Sequence, residues 1–235
     1  MSVTDQLPTS RLIAIGDIHG HALALHGLIQ CIRPTSSDTI VTLGDYVNRG
    51  PDSRGVINQL IKLKDQCQLI PILGNHEEMM LDSRDDVHAE LRWRNDGGDT
   101  TLKSYGESAG IGNIPASHWS FLASCRPYYE TDQFVFTHAN YCWYSKLDEQ
   151  PPALLRWLSL EDSQPRPHMN GKTFIVGHTP GPIRNFGHCL GLDTGCGFGG
   201  LLTAMNLLSG EIWQVTENGS PVEHDRNFSR YLGSQ

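Results

Sequence analysis

Leu12-Ile13-Ala14-Ile15-Gly16-Asp17-Ile18-His19-Gly20 is a short apolar run closed by a polar cluster, and the chain repeats that arrangement. Ile40-Val41-Thr42-Leu43 runs into Gly44-Asp45-Tyr46-Val47-Asn48-Arg49-Gly50, and Leu69-Ile70-Pro71-Ile72-Leu73 into Gly74-Asn75-His76-Glu77. Phe174-Ile175-Val176 runs into Gly177-His178-Thr179, while Phe134-Val135-Phe136-Thr137 leads to one further histidine, His138. Short aliphatic and β-branched runs bounded by glycine read as buried strands. Polar residues at successive strand ends would then meet at one edge of a sheet, where open α/β proteins bind their ligands.

The segments between these runs set the class. Ala22, Leu23, Leu25, Leu28 and Ile29 recur at helical spacing until Pro34, and Val56, Ile57, Leu60, Ile61 and Leu63 do so after Pro51 and Asp52. A third helix follows Glu77 and continues as a polar stretch to Trp93. Strand and helix alternate, which predicts βαβ units and a parallel sheet. From Asn95 to Pro115 the chain is polar and glycine-rich, with a short helix expected near Thr101 to Tyr105 and another from Trp119 to Ser124. The last third changes to closely spaced strands over 173–176, 189–192, 201–207 and 211–215, with Ser209-Gly210 as a hairpin turn. An α/β half followed by a β-rich half predicts two packed sheets with helices outside.

At 235 residues the chain can bury a sizeable core, and it reads as a single domain over 1–235 with its core at about 11–216. Thirty-eight per cent hydrophobic and 19% charged residues are ordinary globular proportions. A formal net charge of −8 and a pI near 5.7 argue against a nucleic-acid partner, which would call for a basic excess. Met1 to Arg11 lacks the apolar centre of a signal peptide, and no stretch approaches the ~18 apolar residues of a membrane span. Six cysteines without a Cys-x-x-Cys pair read as reduced thiols of a cytoplasmic protein.

Asp17 and His19 are two residues apart, so on an extended segment both side chains point the same way. With Asp45 at the next strand end they make half of a divalent-metal site, and the two oxygens of Asp45 can serve two neighbouring ions. Asn75, His138 and His178 complete the second. Mixed oxygen and nitrogen donors without thiolate suit manganese, iron or zinc. Two such ions roughly 3.5–4 Å apart can hold a hydroxide and clamp phosphate oxygens for in-line attack.

These motifs also carry a family resemblance. Asp17-x-His19-Gly, Gly-Asp45-x-Val-x-Arg49-Gly, Gly-Asn75-His76-Glu, His138 and His178 resemble the signature of the phosphoprotein phosphatases, within the calcineurin-like metallophosphoesterases. Gly-His-Thr-Pro at 177–180 and Leu-Asp-Thr-Gly at 192–195 are similar to the short bacterial members. The resemblance implies an α/β fold, a four-layer αββα sandwich of two mixed sheets. It implies two divalent metals, manganese first, on Asp17, His19, Asp45, Asn75, His138 and His178. His76 would protonate the leaving oxygen, and Arg49 would bind phosphate through its planar fork of donors. Arg156 is the candidate for the second phosphate-binding arginine, with Arg166 and Arg184 as alternatives. The expected substrate is a phosphoprotein or a small phosphorylated molecule, and phosphoserine or phosphothreonine hydrolysis is the first expectation.

One position departs from the pattern. The protein phosphatases of the family have aspartate where this chain has Asn48, and that carboxylate pairs with the motif histidine. Asn48 is expected to orient His76 by accepting a hydrogen bond through its amide oxygen, without the charge that would raise the ring's pKa. Symmetrical diadenosine tetraphosphate hydrolases, a related branch, also lack the aspartate, whereas Glu77 favours the phosphatase branch. A non-catalytic phosphate-binding module is the third alternative. Among further residues, His21 and His26 read as a helix face, and Trp93 as a loop anchor or part of the rim. Asp193 reads as a turn residue or a partner of a ligating histidine, and Tyr141, Trp143 and Tyr144 as packing or the mouth of the cleft.

Overall fold

Alternation along the strands decides which layer each side chain joins. The computed structural model describes residues 10–223; the amino-terminal reading over 1–9 and the last part of the polar tail lie outside the described residues. In β1 (Leu12–Ile15), Ile13 and Ile15 face one side and Ala14 the other, as the two-residue strand repeat requires. β2 (Thr39–Thr42) and β3 (Gln68–Pro71) pair parallel to it in sequence order. Their connections are α1 (Ala22–Ile32) and α2 (Ser53–Leu63), each of which lays an apolar stripe on Ile13, Ile15 and Ile40. Arg33 ends α1 in a left-handed conformation, and the Asp52 side chain caps α2 by accepting from the Gly55 amide at 2.7 Å.

After β3 come α3 (Asn75–Asp82), α4 (Val87–Trp93), α5 (Asp99–Tyr105) and α6 (Ala116–Ala123). The short helix expected near Thr101 to Tyr105 is α5, and the polar, glycine-rich stretch before it holds more helical turn than its composition suggests. α4 passes into α5 through a wide turn at Arg94–Gly98, in which Gly97 has φ +96°. The second sheet holds β4 (Tyr129–Glu130), β5 (Phe134–Phe136), β6 (Thr173–Val176), β7 (Arg184–Asn185) and β8 (Cys189–Gly191), ordered β4-β5-β6-β8-β7. β5, β6 and β8 are parallel, and the two-residue strands β4 and β7 close its edges in antiparallel register.

The division into an α/β half and a β half needs one correction. β9 (Leu202–Asn206) and β10 (Ile212–Val215) return to the first sheet, giving the order β10-β9-β1-β2-β3. β9 is buried along its whole length and takes the free edge of β1 in antiparallel register, which removes an exposed row of backbone donors. Ala14, Val41, Ile70, Phe136, Ile175, Leu190 and Met205 fill the space between the two sheets. α7 (Pro152–Trp157) covers the outer face of the second through Leu155 against Val135, Phe174 and Val176. The result is two mixed sheets flanked by helices, the αββα layering. Among the described residues no helix is long and apolar enough to cross a membrane.

Candidate metal centre

The carboxyl ends of β1, β2, β3, β5 and β6 converge, and the loops leaving them carry Asp17, His19, Asp45, Asn75, His76, His138 and His178. Among the described residues six non-glycine residues have positive φ, and five of them are His19, Asp45, Asn48, Arg49 and His178. Side chains rarely adopt that conformation, and each instance costs on the order of 1 kcal/mol or more. Such strain persists only where surroundings over-determine it, and here they do. Glu77, fully buried in the first turn of α3, accepts from the backbone amides of Asp45 (2.8 Å), Tyr46 (2.7 Å), Val47 (3.2 Å) and Gly74 (3.1 Å). One carboxylate thereby holds the β2 and β3 loops together. Gly177 serves the same convergence by having no side chain, since a Cβ there would lie 2.1 Å from Asp17 Oδ1.

The ring nitrogens are sorted by their partners. His19 Nδ1–H donates to the Val47 carbonyl at 3.2 Å, which leaves the Nε2 lone pair facing Asp45 Oδ2 at 3.3 Å. His138 Nδ1–H donates to the Leu43 carbonyl at 2.7 Å, so its Nε2 is an acceptor as well. That nitrogen nonetheless faces Asn75 Oδ1 at 2.9 Å and Asp45 Oδ1 at 3.3 Å. His178 Nε2–H donates to the Trp157 carbonyl at 3.0 Å, freeing Nδ1. Lone pairs therefore oppose lone pairs on both sides of Asp45. Backbone carbonyls that fix the tautomer of a ligating imidazole are the usual support of a metal site.

Charge tells the same story. Burial, with the charges of Asp193 and Asp45 added, pushes the Asp17 carboxyl well above the usual range, and burial pushes Asp45 up to about 8. Burial also lowers His138 and His178 to about 4 each. Asp17 Oδ2 accepts from the His178 amide at 2.9 Å, but its buried Oδ1 has no hydrogen-bond partner. Opposed lone pairs, crowded carboxyls and one orphaned oxygen form a donor set that bound metal ions would complete. Among the described residues there are two groups whose donor atoms lie within 4.8 Å of one another, His19, Asp45 and His76 in one and Asp45, His138 and His178 in the other. Asp45 is common to both, one oxygen toward each side, as its strand-end position predicts. Asp17 stands outside both groups, its Oδ2 held by the second.

At Asn48 the structure corrects the expected hydrogen bond. Asn48 Oδ1 is occupied by Trp93 Nε1–H at 3.1 Å and Thr101 Oγ1–H at 2.8 Å. An indole nitrogen can only donate, so the amide oxygen must face it. The amide therefore turns its NH₂ to the ring, with Nδ2 2.7 Å from His76 Nδ1. His76 Nδ1 is the acceptor, and the ring proton belongs on Nε2. Burial and then the Arg49 charge lower His76 to about 3, so the ring is held neutral. Trp93 is thus the loop anchor of its two readings, since it is fully buried.

Arg49 lies over the Phe198 ring, its guanidinium carbon 4.1 Å from the centroid, with Nη2 3.4 Å from His76 Nε2. Arg156 is paired with Glu78, is largely buried, and leaves its Nε–H without a partner. Of the alternatives, Arg184 is held by Glu161 and the Thr179 and Pro180 carbonyls, and Arg166 lies over Trp143. Asp193 is a turn residue accepting from the Gly195 amide at 2.9 Å. Tyr141 packs flat on Phe174, and Trp143 meets Tyr144 edge to face. Sequence reasoning used Glu77 only to separate branches and passed over Glu78, Trp157 and Phe198. A buried carboxylate one residue after a histidine at a helix start was a signal for the first.

Residues 10–200 match the sequence profile of the calcineurin-like phosphoesterases. Serine/threonine-protein phosphatase 1 of Salmonella typhimurium is 30% identical over 202 residues, covering 80% of this chain and 88% of that protein. The symmetrical bis(5'-nucleosyl)-tetraphosphatase of an Acidovorax species is 42% identical over 71 residues, 30% of this chain and 25% of that protein. A provisionally assigned diadenosine tetraphosphatase superposes with a TM-score of 0.69 at 22% identity, over 89% of this chain and 94% of that one. A serine/threonine phosphatase from Saccharomyces cerevisiae gives 0.58 at 14%, over 94% and 83%. At such identities the structural likeness is one of fold. With the profile spanning most of its length and the strand-end donors in place, the chain belongs to the calcineurin-like phosphoesterase family.

Proposed function

We propose that this protein hydrolyses a phosphoanhydride, with a symmetrical dinucleoside tetraphosphate as substrate. The observation that carries the reading is the hydrogen bond from Asn48 Nδ2 to His76 Nδ1. A seryl alkoxide is a poor leaving group and needs a strong acid beside it, whereas a nucleoside diphosphate leaves as a stabilised anion. A neutral ring held by an amide donor suits the second. The local 42% identity to a symmetrical bis(5'-nucleosyl)-tetraphosphatase supports it.

In this reading Asp17, His19 and Asp45 would hold one cation, and Asp45, Asn75, His138 and His178 the other. Divalent ions, manganese being our first choice, supply Lewis-acid activation of water and neutralise phosphate oxygens when bound. Arg49 binds the phosphate group under attack, with Arg156, held by Glu78, as the candidate for the second arginine. His76 Nε2–H donates a hydrogen bond to the departing oxygen. A water oxygen forms the new bond to phosphorus, the central P–O bond breaks, and two nucleoside diphosphates leave.

Hydrolysis of phosphoserine or phosphothreonine in proteins is the second reading, favoured by the longer 30% match to a protein phosphatase and by Glu77. The test is kcat/KM with added Mn²⁺ on diadenosine tetraphosphate, a phosphoseryl peptide and a phosphotyrosyl peptide. The anhydride should be preferred by on the order of a hundredfold or more, two decades being about 2.7 kcal/mol of barrier. A preference for the seryl peptide reverses the order of the readings. No turnover of any of the three by metal-loaded protein overturns both.

A further inference from the structure

Two aromatic rings stand partly open to solvent at the edge of the donor clusters, and neither belongs to the buried core. Phe198 is 57% exposed, with one face on the Arg49 guanidinium and its centroid 6.3 Å from that of His19. Trp157, the last residue of α7, is 43% exposed. Its carbonyl accepts from His178, and its indole Nε1–H donates to Glu78 Oε2 at 2.7 Å, the carboxylate that also holds Arg156. One ring therefore accompanies His19 and the other His178, on different sides of Asp45, and each is tied directly or through a carboxylate to an arginine.

Isolated exposed apolar residues need no explanation. These two differ because charged or polar partners at the donor clusters fix their orientation, the Arg49 guanidinium over Phe198 and the Glu78 carboxylate on the Trp157 indole. The turn that carries Phe198 is also pressed against the site. A Cβ at Gly197 would meet His19 Cδ2 at 2.5 Å and Arg49 Cδ at 2.9 Å. An oriented aromatic face beside an arginine is a place for a flat group attached to a phosphate, because base and ring stack through their π-faces and the guanidinium takes the anion.

We propose that Phe198 and Trp157 are base-stacking residues, each holding one nucleobase of a symmetrical dinucleoside polyphosphate. This assignment rests on the substrate class argued above. A phosphopeptide presents no flat group at a fixed place on both sides of its phosphate, whereas a dinucleoside polyphosphate has a base at each end of its chain. Anchoring both ends centres the phosphate chain over Asp45. The two rings thus explain symmetrical cleavage, which the donor clusters alone do not.

Inhibition constants for ADP and for inorganic pyrophosphate, measured with the Mn²⁺-loaded protein, isolate the nucleoside's share. The wild-type protein should bind ADP more tightly than pyrophosphate, and Phe198→Ala and Trp157→Ala should each reduce that ratio by about fivefold or more. Phe198→Trp and Trp157→Phe should restore it. Restoration in Trp157→Phe separates the ring from its hydrogen bond to Glu78. ADP should also quench Trp157 fluorescence where pyrophosphate does not. An unchanged ratio in both alanine variants, with diadenosine tetraphosphate still turned over, overturns the stacking role and leaves the substrate class standing. Preference of the wild-type protein for the phosphoseryl peptide overturns the class, and the stacking role with it.

Discussion

Replacing Asn48 with aspartate reverses the hydrogen bond on which the substrate reading rests. The new carboxylate would keep one oxygen on Trp93 and Thr101 and turn the other, in place of Nδ2, toward His76 Nδ1, now 2.7 Å away. At that separation and an effective dielectric near 20, the attraction for an imidazolium is about 6 kcal/mol. Desolvating a carboxylate at a fully buried position removes several kcal/mol of that. The net gain should be that of a charge-assisted hydrogen bond, about 1.5–3 kcal/mol, or about one to two pKa units. The sign is upward: His76, lowered to about 3 by burial and Arg49, moves toward neutrality and is protonated over a wider range. Profiles of kcat/KM from about pH 5 to about pH 9 on two substrates read the consequence. For a phosphoseryl peptide the alkaline limb should move up and the rate near neutral pH rise roughly ten- to hundredfold. For diadenosine tetraphosphate the change should stay within about threefold, because its leaving group has little need of the proton. Equal responses on the two substrates would refute the argument, because His76 would not then be serving the leaving oxygen.

Two further outcomes follow from the structure. Asp45→Ala should abolish two-metal loading, while His19→Ala and His138→Ala should each impair a different ion; elemental analysis showing two equivalents in Asp45→Ala would remove Asp45 as the bridge. On the far side of the molecule Asp38 is pushed up by burial but pulled down further by Arg11, whose Nε and Nη2 donate to it at 2.9 and 2.6 Å, and by Thr35, to about 2. A folded pKa below the unfolded one stabilises above about pH 4, and that contribution, about 1–2 kcal/mol, is lost as pH falls through about 2. Asp38→Asn should flatten the acid limb of the unfolding free energy, and an unchanged slope would show that the pair is not linked to folding.

Much of the site could be read from the chain because strand ends are local features. Each donor follows its own apolar run within a few residues, Asp17, His19, Asp45 and Asn75 on strands of the first sheet and His138 and His178 on strands of the second, so their approach needs the two sheets packed with these strand ends together. What could not be read depends on partners distant in sequence. The direction of the Asn48 amide is set by Trp93, 45 residues on, and Thr101, 53 residues on. No local pattern distinguishes an amide that accepts from one that donates. The return of β9 to β1 was hidden for a related reason, since a strand buried on both faces has no alternation to show which sheet it joins. The helix at Thr101 to Tyr105 was legible, as α5, but the turn at Arg94–Gly98 that joins it to α4 was not, because Gly97 and Gly98 argue for loop and here form the bend.

Backbone strain and an unsatisfied polar atom meet in the same group of strand-end loops. His19, Asp45 and His178 sit at positive φ; among the described residues, the free ring nitrogen of His19 faces Asp45 Oδ2, the neighbouring Asp17 Oδ1 is buried without a partner, and Asp45 Oδ1 accepts only from the His76 amide at 3.3 Å. Neither feature helps the isolated chain fold. Glu77 offsets the first through four backbone hydrogen bonds, which need no metal because their partners are all protein amides. The loops are therefore held before any cation arrives, and the opposed lone pairs cannot relax apart. A site assembled by its ligand would show the reverse, with donors turned to other partners. Here the protein backbone supplies the geometry and a divalent ion would supply the missing charge. Losing Glu77 should then damage both ion positions together, because the loop it holds carries the residue they share.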